Sequence, residues 1–298
     1  LQHIEAAGIH SGDSAAVFPP YKSSPQILEQ MQAWAHKLAI ALDTRGLMNI
    51  QFAAKDGLLY LIEVNPRASR TIPFIAKTSG VDLIEAAVRV WEGEDLVSQG
   101  LVKTVGGRAM GTCRTGWAVK EAVFSFDRFS NVDPALGPEM RSTGESIGLG
   151  KTFGEAFAKS QISAGNKLPV AGKVFVSVNK KDRATILPVV QKLVGLGFAV
   201  AATKGTAGFL FEQGILCEVM QKVHEGRPNI IDYLRSRQIA LVINTPMGYQ
   251  AHASDDEIRS IAMRLKIPYT TTTSAAIAAV QAIEYLQKEQ VVVRSLSS

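Results

Sequence analysis

The sequence predicts an α/β protein in two parts: an α+β N-terminal part over 1–162 and a mainly parallel-sheet α/β part over 163–298. Three observations carry this. A hairpin pattern over 48–64 sits between two stretches of helical periodicity. Beyond residue 170, short apolar runs alternate with helical segments, the pattern of βαβ units and a parallel sheet. Between the parts, Ser163-Ala164-Gly165-Asn166-Lys167-Leu168-Pro169 has no periodicity and reads as a linker. A length of 298 residues agrees with two domains better than with one. An apolar share of 46% with 20% charged residues excludes a disordered or fibrous chain.

Each element follows from its local pattern. Pro19-Pro20 blocks a helix near the N-terminus. Leu28, Met31, Ala35, Leu38 and Leu42 recur at steps of three and four, so a helix is expected over 24–42. Ser24-Pro25 supplies its cap and first turn, and Gly46 follows its end. Met48, Ile50 and Phe52 alternate with Asn49, Gln51 and Ala53 as a strand, Lys55-Asp56-Gly57 turns, and 58–64 returns. A helix is expected over 83–91, and strands with loops over 98–150. In the second part the expected strands are 173–178, 198–202 and 240–243, with one more before Gln221. The expected helices there are 183–194, 255–265 and 273–288, with one over 153–162 preceding the linker.

Composition narrows the function classes. Lys and Arg exceed Asp and Glu by 32 to 27, and the basic residues are scattered, so a nucleic-acid surface is not indicated. No stretch reaches 18 consecutive apolar residues, so no membrane span is expected. The two cysteines, Cys113 and Cys217, make no CxxC and no disulfide framework, which fits a reducing, cytoplasmic setting. Leu1-Gln2-His3-Ile4-Glu5 carries neither initiator Met nor signal-peptide pattern, and a fragment or processed product is expected.

Two clusters bear chemistry. Glu63 and Asn65 lie two apart on one strand and share a face, with Gln51 across the hairpin. One carboxylate and two amide oxygens suit a hard cation whose shell is completed by substrate phosphates. Arg67 and Arg70 follow and can meet the anion such a cation holds. The alternative is a solvated polar strand end. In the second part, Thr203-Lys204-Gly205-Thr206 follows a strand and offers two hydroxyls, an ammonium and free amides to a phosphate. It lacks the P-loop spacing. Lys222 and Asn244 stand after or at the end of further strands, where ligands of open parallel sheets collect. Ordinary βα turns are the alternative there.

Three stretches in this order resemble one family. Met48–Ala53 with Leu61-Ile62-Glu63-Val64-Asn65-Pro66-Arg67-Ala68-Ser69-Arg70 resembles the closing hairpin of ATP-grasp enzymes. His10-Ser11-Gly12-Asp13-Ser14 resembles the nucleotide-binding segment of carbamoyl phosphate synthetase large subunits. Leu136-Gly137-Pro138-Glu139-Met140-Arg141-Ser142-Thr143-Gly144-Glu145 resembles the signature that follows it. The resemblance covers nearly the whole chain and implies the end of the second ATP-grasp module, 1–162, plus a methylglyoxal-synthase-like allosteric domain, 163–298.

The resemblance implies an ATP-dependent ligase that phosphorylates carbamate, derived from bicarbonate, for pyrimidine and arginine synthesis. The implied cofactors are ATP and Mg²⁺ or Mn²⁺. The implied partners are a small glutaminase (amidotransferase) subunit and a nucleotide monophosphate effector, within an oligomer. It makes Gln51, Glu63 and Asn65 metal ligands, with Gln51 and Glu63 also near the nucleotide. It makes Gly8, Ile9, His10 and Ser11 nucleotide contacts, and Arg67 and Arg70 the arginines at the phosphate and carbamate end. Thr203, Thr206 and Lys222 match effector-phosphate positions, Lys204 neighbours them on its chemistry, Arg183 stands where Lys is common, and Asn244 matches a position near the effector's ribose. Pro246 replaces a Thr hydroxyl, which leaves the effector's identity open. The other reading is a regulatory fragment that binds a nucleotide monophosphate and carries an incomplete, non-catalytic ATP-grasp remnant.

Overall fold

The structure is a computed structural model that describes residues 1–5, 7–102, 116–125, 136–245, 253–293 and 295. Pro246, Cys113 and the Gly106-Gly107-Arg108 and Gly111–Arg114 stretches lie outside the described residues. By compactness the chain forms two units, one of 1–2, 17–116 and 294–298, the other of 3–16 and 117–293.

The first unit begins with α1, Pro25–Ala41, whose N-cap Ser24 accepts from the Ile27 amide and whose first position is Pro25. The hairpin follows: β3, Asn49–Lys55, pairs antiparallel with β4, Leu58–Asn65. Asp56 and Gly57, both with positive φ, make its two-residue turn. Two helices complete the unit. α2, Thr71–Ser79, was not marked by periodicity, because Pro73 and several β-branched residues mask it. It stops where Gly80 turns left-handed. α3, Leu83–Trp91, is capped by the Asp82 carboxylate, which accepts from the Ile84 and Glu85 amides. The apolar stripe of α1 buries no side chain fully, and among the described residues of this unit the buried apolar side chains are Val17, Leu59, Phe74 and Ala87.

The second unit holds two sheets. β5, Trp117–Val123, pairs antiparallel with β6, Gly144–Gly150, in a four-stranded sheet of order β1-β2-β5-β6, whose short strands β1, Gln2–His3, and β2, Ala16–Phe18, lie at the boundaries of the two units. α4, Phe153–Ser163, lies so close on this sheet that a Cβ at Gly148 would fall 2.0 Å from the Ala156 carbonyl. No side chain fits there.

The other sheet is parallel throughout, in the order β11-β10-β7-β8-β9, formed by β7 Lys173–Val178, β8 Ala199–Thr203, β9 Glu218–Met220, β10 Leu241–Thr245 and β11 Tyr269–Thr270. Val174, Val176 and Val178 meet α5 (Arg183–Gly195), α6 (Lys204–Glu212) and α9 (Thr273–Lys288) on one face. Phe175, Ala201 and Val242 meet α7 (Ile230–Arg235) and α8 (Ala253–Arg264) on the other. Both faces are covered, so the strands read as continuous apolar runs. The chain leaves β7 toward β8 on one side and returns to β10 on the other. The carboxyl ends of β7 and β10 therefore form a topological switch point, where open α/β sheets bind ligands.

Candidate functional site

Three groups of candidate residues result, and each is built by its own elements. The hairpin register sets Gln51 directly opposite Glu63, and Asn49 opposite Asn65. Glu63 and Asn65 thus share a face with Gln51. The expected cluster forms, and a bulge beside Gln51 locally re-aims the strand. Asn65 Nδ2 donates to Glu63 Oε1 at 3.0 Å, which holds the two ligand candidates together. Rotating the Asn65 amide would trade that bond for an oxygen facing the same space as the carboxylate. One exposed carboxylate with two amide oxygens fits Mg²⁺ or Mn²⁺ in the usual way, with few protein ligands and the rest from phosphate and water. Such a set needs no cluster of three His, Cys, Asp or Glu, and none occurs among the described residues. Arg67 and Arg70 are exposed past the end of β4; Arg67 donates to the Ala68 carbonyl, and Arg70 stands at the N-cap of α2.

The Gly8–Ser11 run belongs to the second unit. Gly8 has φ 101°, a left-handed backbone suited to glycine. The His10 amide donates to the Gly137 carbonyl, and the His10 carbonyl accepts from the Asp13 amide. The Asp13 carboxylate accepts from the Arg141 and Ser142 amides at 2.7 and 2.9 Å. Two of the three resemblance stretches are therefore bonded to each other. Beneath them Lys120, with no exposed surface, donates to the Ser11 and Gly12 carbonyls at 3.1 and 3.3 Å.

Sequence reasoning missed Lys120 and the acids near it. Its signal was a Lys-Glu pair inside an apolar strand. Glu121 accepts from Gln161 Nε2 at 2.6 Å. Burial pushes its carboxyl up to about 8, the Glu5 charge adding to the rise. Burial pushes Glu5 up to about 7, against the pull of Lys120, and its Oε2 has no hydrogen-bond partner among the described residues. Burial, with help from Lys120, holds His3 down near 4.

The third group lies at the switch point. Thr203 is the N-cap of α6, so Thr203-Lys204-Gly205-Thr206 runs from the end of β8 directly into the first turn of a helix. The extended Thr203 backbone leads straight into the helix, and the amides of its first turn are left for a ligand. The Thr203 and Thr206 hydroxyls are 3.3 Å apart, and Thr203 also reaches Ser177 at the end of β7. Arg183 opens α5 against Gly205: a Cβ there would come 2.9 Å from a guanidinium nitrogen. Its Nε is buried without a partner among the described residues. Lys204 and Lys222 are exposed. Asn244 is buried on β10 and donates to Asp255 at 3.2 Å. Ser177, Asn179 and Thr245 were not foreseen. Asn179 accepts from the Lys181 and Asp182 amides and donates to Thr245, tying the β7 and β10 ends together.

The model of the carbamoyl-phosphate synthase L chain ATP-binding domain matches residues 3–99, and that of the MGS-like domain matches 185–271. Carbamoyl phosphate synthase large chains match along nearly the whole sequence. That of Rhizobium meliloti (strain 1021) is 48% identical over 298 residues, covering 100% of this chain and 26% of its own length. That of Pasteurella multocida (strain Pm70) is 46% identical, covering 98% and 27%. One from Methanosarcina barkeri is 42% identical over all 298 residues and 73% of its own length. The chain spans about a quarter of the length of the first two. A crystal structure of methylglyoxal synthase from Elizabethkingia anophelis NUHP1 has a TM-score of 0.32 and 20% identity, covering 40% of this chain and 83% of that one.

Proposed function

The chain belongs to the carbamoyl phosphate synthase large-chain family, and from that premise we propose that it supplies one wall of an ATP site that phosphorylates carbamate, together with a domain that senses a nucleotide monophosphate. The partition proposed is 1–162 for the ATP-grasp part and 163–298 for the allosteric domain. The observation that carries the catalytic half is the register that sets Gln51 against Glu63 with Asn65 bonded beside them.

In this reading Gln51, Glu63 and Asn65 hold Mg²⁺ or Mn²⁺, which neutralises charge on the ATP phosphates. Gly8–Ser11 line the nucleotide. Arg67 and Arg70 orient carbamate and stabilise charge as its oxygen takes the γ-phosphoryl group and ADP leaves. A small glutaminase subunit supplies the nitrogen, and the complete enzyme is an oligomer in the cytoplasm. The test is Glu63→Ala in a full-length large chain carrying this segment. A loss of about 10²–10³-fold in carbamoyl phosphate synthesis is expected, and unchanged turnover removes the metal role.

The regulatory half rests on the switch-point cradle. Phosphate oxygens meet the first-turn amides of α6, the Thr203 and Thr206 hydroxyls, and the Arg183, Lys204 and Lys222 cations, with Asn244 near the ribose. A planar guanidinium at 183 offers a fork where an ammonium offers a point charge. Calorimetric titration with UMP, and separately IMP, is expected to show saturable binding that Lys222→Ala abolishes. Absence of binding by both would remove the effector role. Coupling to catalysis through α4 and the linker, of about 1–3 kcal/mol, is the regulatory corollary. Thr203→Ala with Lys222→Ala in the complete enzyme should erase the effector response and spare basal activity. A specific observation, the self-contained cradle, also favours the second reading: that this polypeptide by itself acts only as a nucleotide-binding regulatory module.

A further inference from the structure

Gly12 stands between the His10 imidazole and the Met140 sulfur, each 3.1 Å from where its Cβ would lie, so the ring approaches the backbone closely. At that distance the Gly12 amide donates to His10 Nδ1, 3.0 Å away. A nitrogen that accepts this bond carries no proton. In the neutral imidazole the proton is then on Nε2, which becomes a donor. The bond requires the peptide planes on either side of Gly12 to stay fixed. Their carbonyls are held from below by one group, the Lys120 ammonium on β5, which bonds both the Ser11 and Gly12 oxygens and sits 4.0 Å from Glu145. Ser142 Oγ adds a second, weaker tie to the Gly12 carbonyl at 3.3 Å. Lys120 is fully buried, so burial holds its pKa below the usual lysine value while the surrounding Glu145, Glu121, Asp13 and Glu5 keep the cation favourable.

We propose that Lys120 is a positioning residue for the nucleotide wall: through the Ser11 and Gly12 carbonyls it holds the Gly12 amide on His10 Nδ1, and so keeps His10 as the Nε2–H tautomer, a donor to the phosphate or ribose oxygens of a nucleoside triphosphate. This rests on the reading of Gly8–Ser11 as nucleotide contacts. An outer group that fixes a histidine's tautomer is worth about 10–100-fold at metal sites, and the same logic applies to a histidine that must donate to an anion.

The test is the tautomer itself, read in the ¹⁵N-histidine-labelled 298-residue chain at alkaline pH, with His10→Gln assigning the signal. Wild type is expected to show Nε2 protonated and Nδ1 bare. Lys120→Met should give a mixture of tautomers, and Lys120→Arg, which keeps donors on both carbonyls, should restore the single form. Nδ1 protonated in wild type, or an unchanged His10 signal in folded Lys120→Met, overturns the proposal. Should Lys120→Met not fold, Ser142→Ala decides: an unchanged tautomer supports Lys120 as the anchor, and a lost one transfers the role to Ser142. In a full-length large chain, Lys120→Met should raise the KM for MgATP about tenfold with kcat nearly unchanged. An unchanged KM beside a changed tautomer would retire the nucleotide reading of 8–11 and leave the Lys120–His10 relay standing.

Discussion

Glu121 and Glu5 hold their protons far above the ordinary carboxylate range, at about 8 and about 7, against 4.5. In the unfolded chain both would be ionised well below neutrality. The folded state therefore binds more protons than the unfolded one through that interval, and stability falls as pH rises across it. His3 works in the other direction: held near 4 against 6.5, it lends stability that is lost as pH falls through that range. The two effects oppose each other below 6.5; above it the two acids dominate, opposed by the Leu1 amino group, which burial holds below its ordinary 8.0. Melting temperature is thus expected to fall as pH is raised from 6.5 to 8, and Glu121→Gln should flatten that fall; a profile rising over the same interval would contradict the assignment. At this scale the sequence marked Gln51, Glu63, Asn65 and the threonines as candidates, because spacing and residue type announce them. Lys120, Glu121 and Glu5 stayed hidden, because only burial gives a common Lys or Glu an unusual state.

Among the elements, close approach and open space predict opposite outcomes for the same kind of substitution. On β6, Gly148→Ala puts a methyl against the α4 backbone, with the Ala156 carbonyl at 2.0 Å and the Ser160 amide at 2.4 Å. Neither can move without shifting the helix, so a cost of about 1–3 kcal/mol or more is expected. At the last residue of α5, Gly195→Ala meets nothing within 4 Å and should add about 0.4–1 kcal/mol by restricting the unfolded chain. Thermal or urea unfolding of the two variants, side by side, reads both signs. Helices with regular stripes and capping residues, α1, α3 and α9, were legible from the sequence. α2 was not, and neither was the helical state of the Thr203–Thr206 turn. Whether such a stretch closes into a helix depends on the sheet that it leaves.

For the whole molecule, the first unit has a thin core, with Ile40, Leu58, Tyr60, Ile62 and Trp91 exposed and a sheet of two strands. A two-stranded sheet is marginal by itself, whereas the second unit encloses a five-stranded sheet between two helical layers. Hydrogen exchange should accordingly protect β7, β8 and β10 most and the β3–β4 hairpin least; equal protection would overturn that ranking. The 298-residue polypeptide, a quarter of the length of most of its relatives compared above, is expected neither to bind ATP tightly nor to synthesise carbamoyl phosphate alone. Sustained ATP-dependent product formation by it would refute this.

The sequence by itself determined what is local: hydrophobic period, caps, turn residues and the order of strands and helices, together with the residue types that make oxygen and phosphate sites. Those properties depend on neighbours a few positions apart, and the chain carries them wherever it folds. Only the tertiary structure decided which strand lies beside which. That choice put the carboxyl ends of β7 and β10 side by side and bonded Asp13 to Arg141 and Ser142 across some 130 residues of chain. It also buried Lys120 under the His10 loop. Burial and long-range pairing are properties of the assembled core, where the loss of water makes each charge and hydrogen bond matter, and no window of sequence contains them.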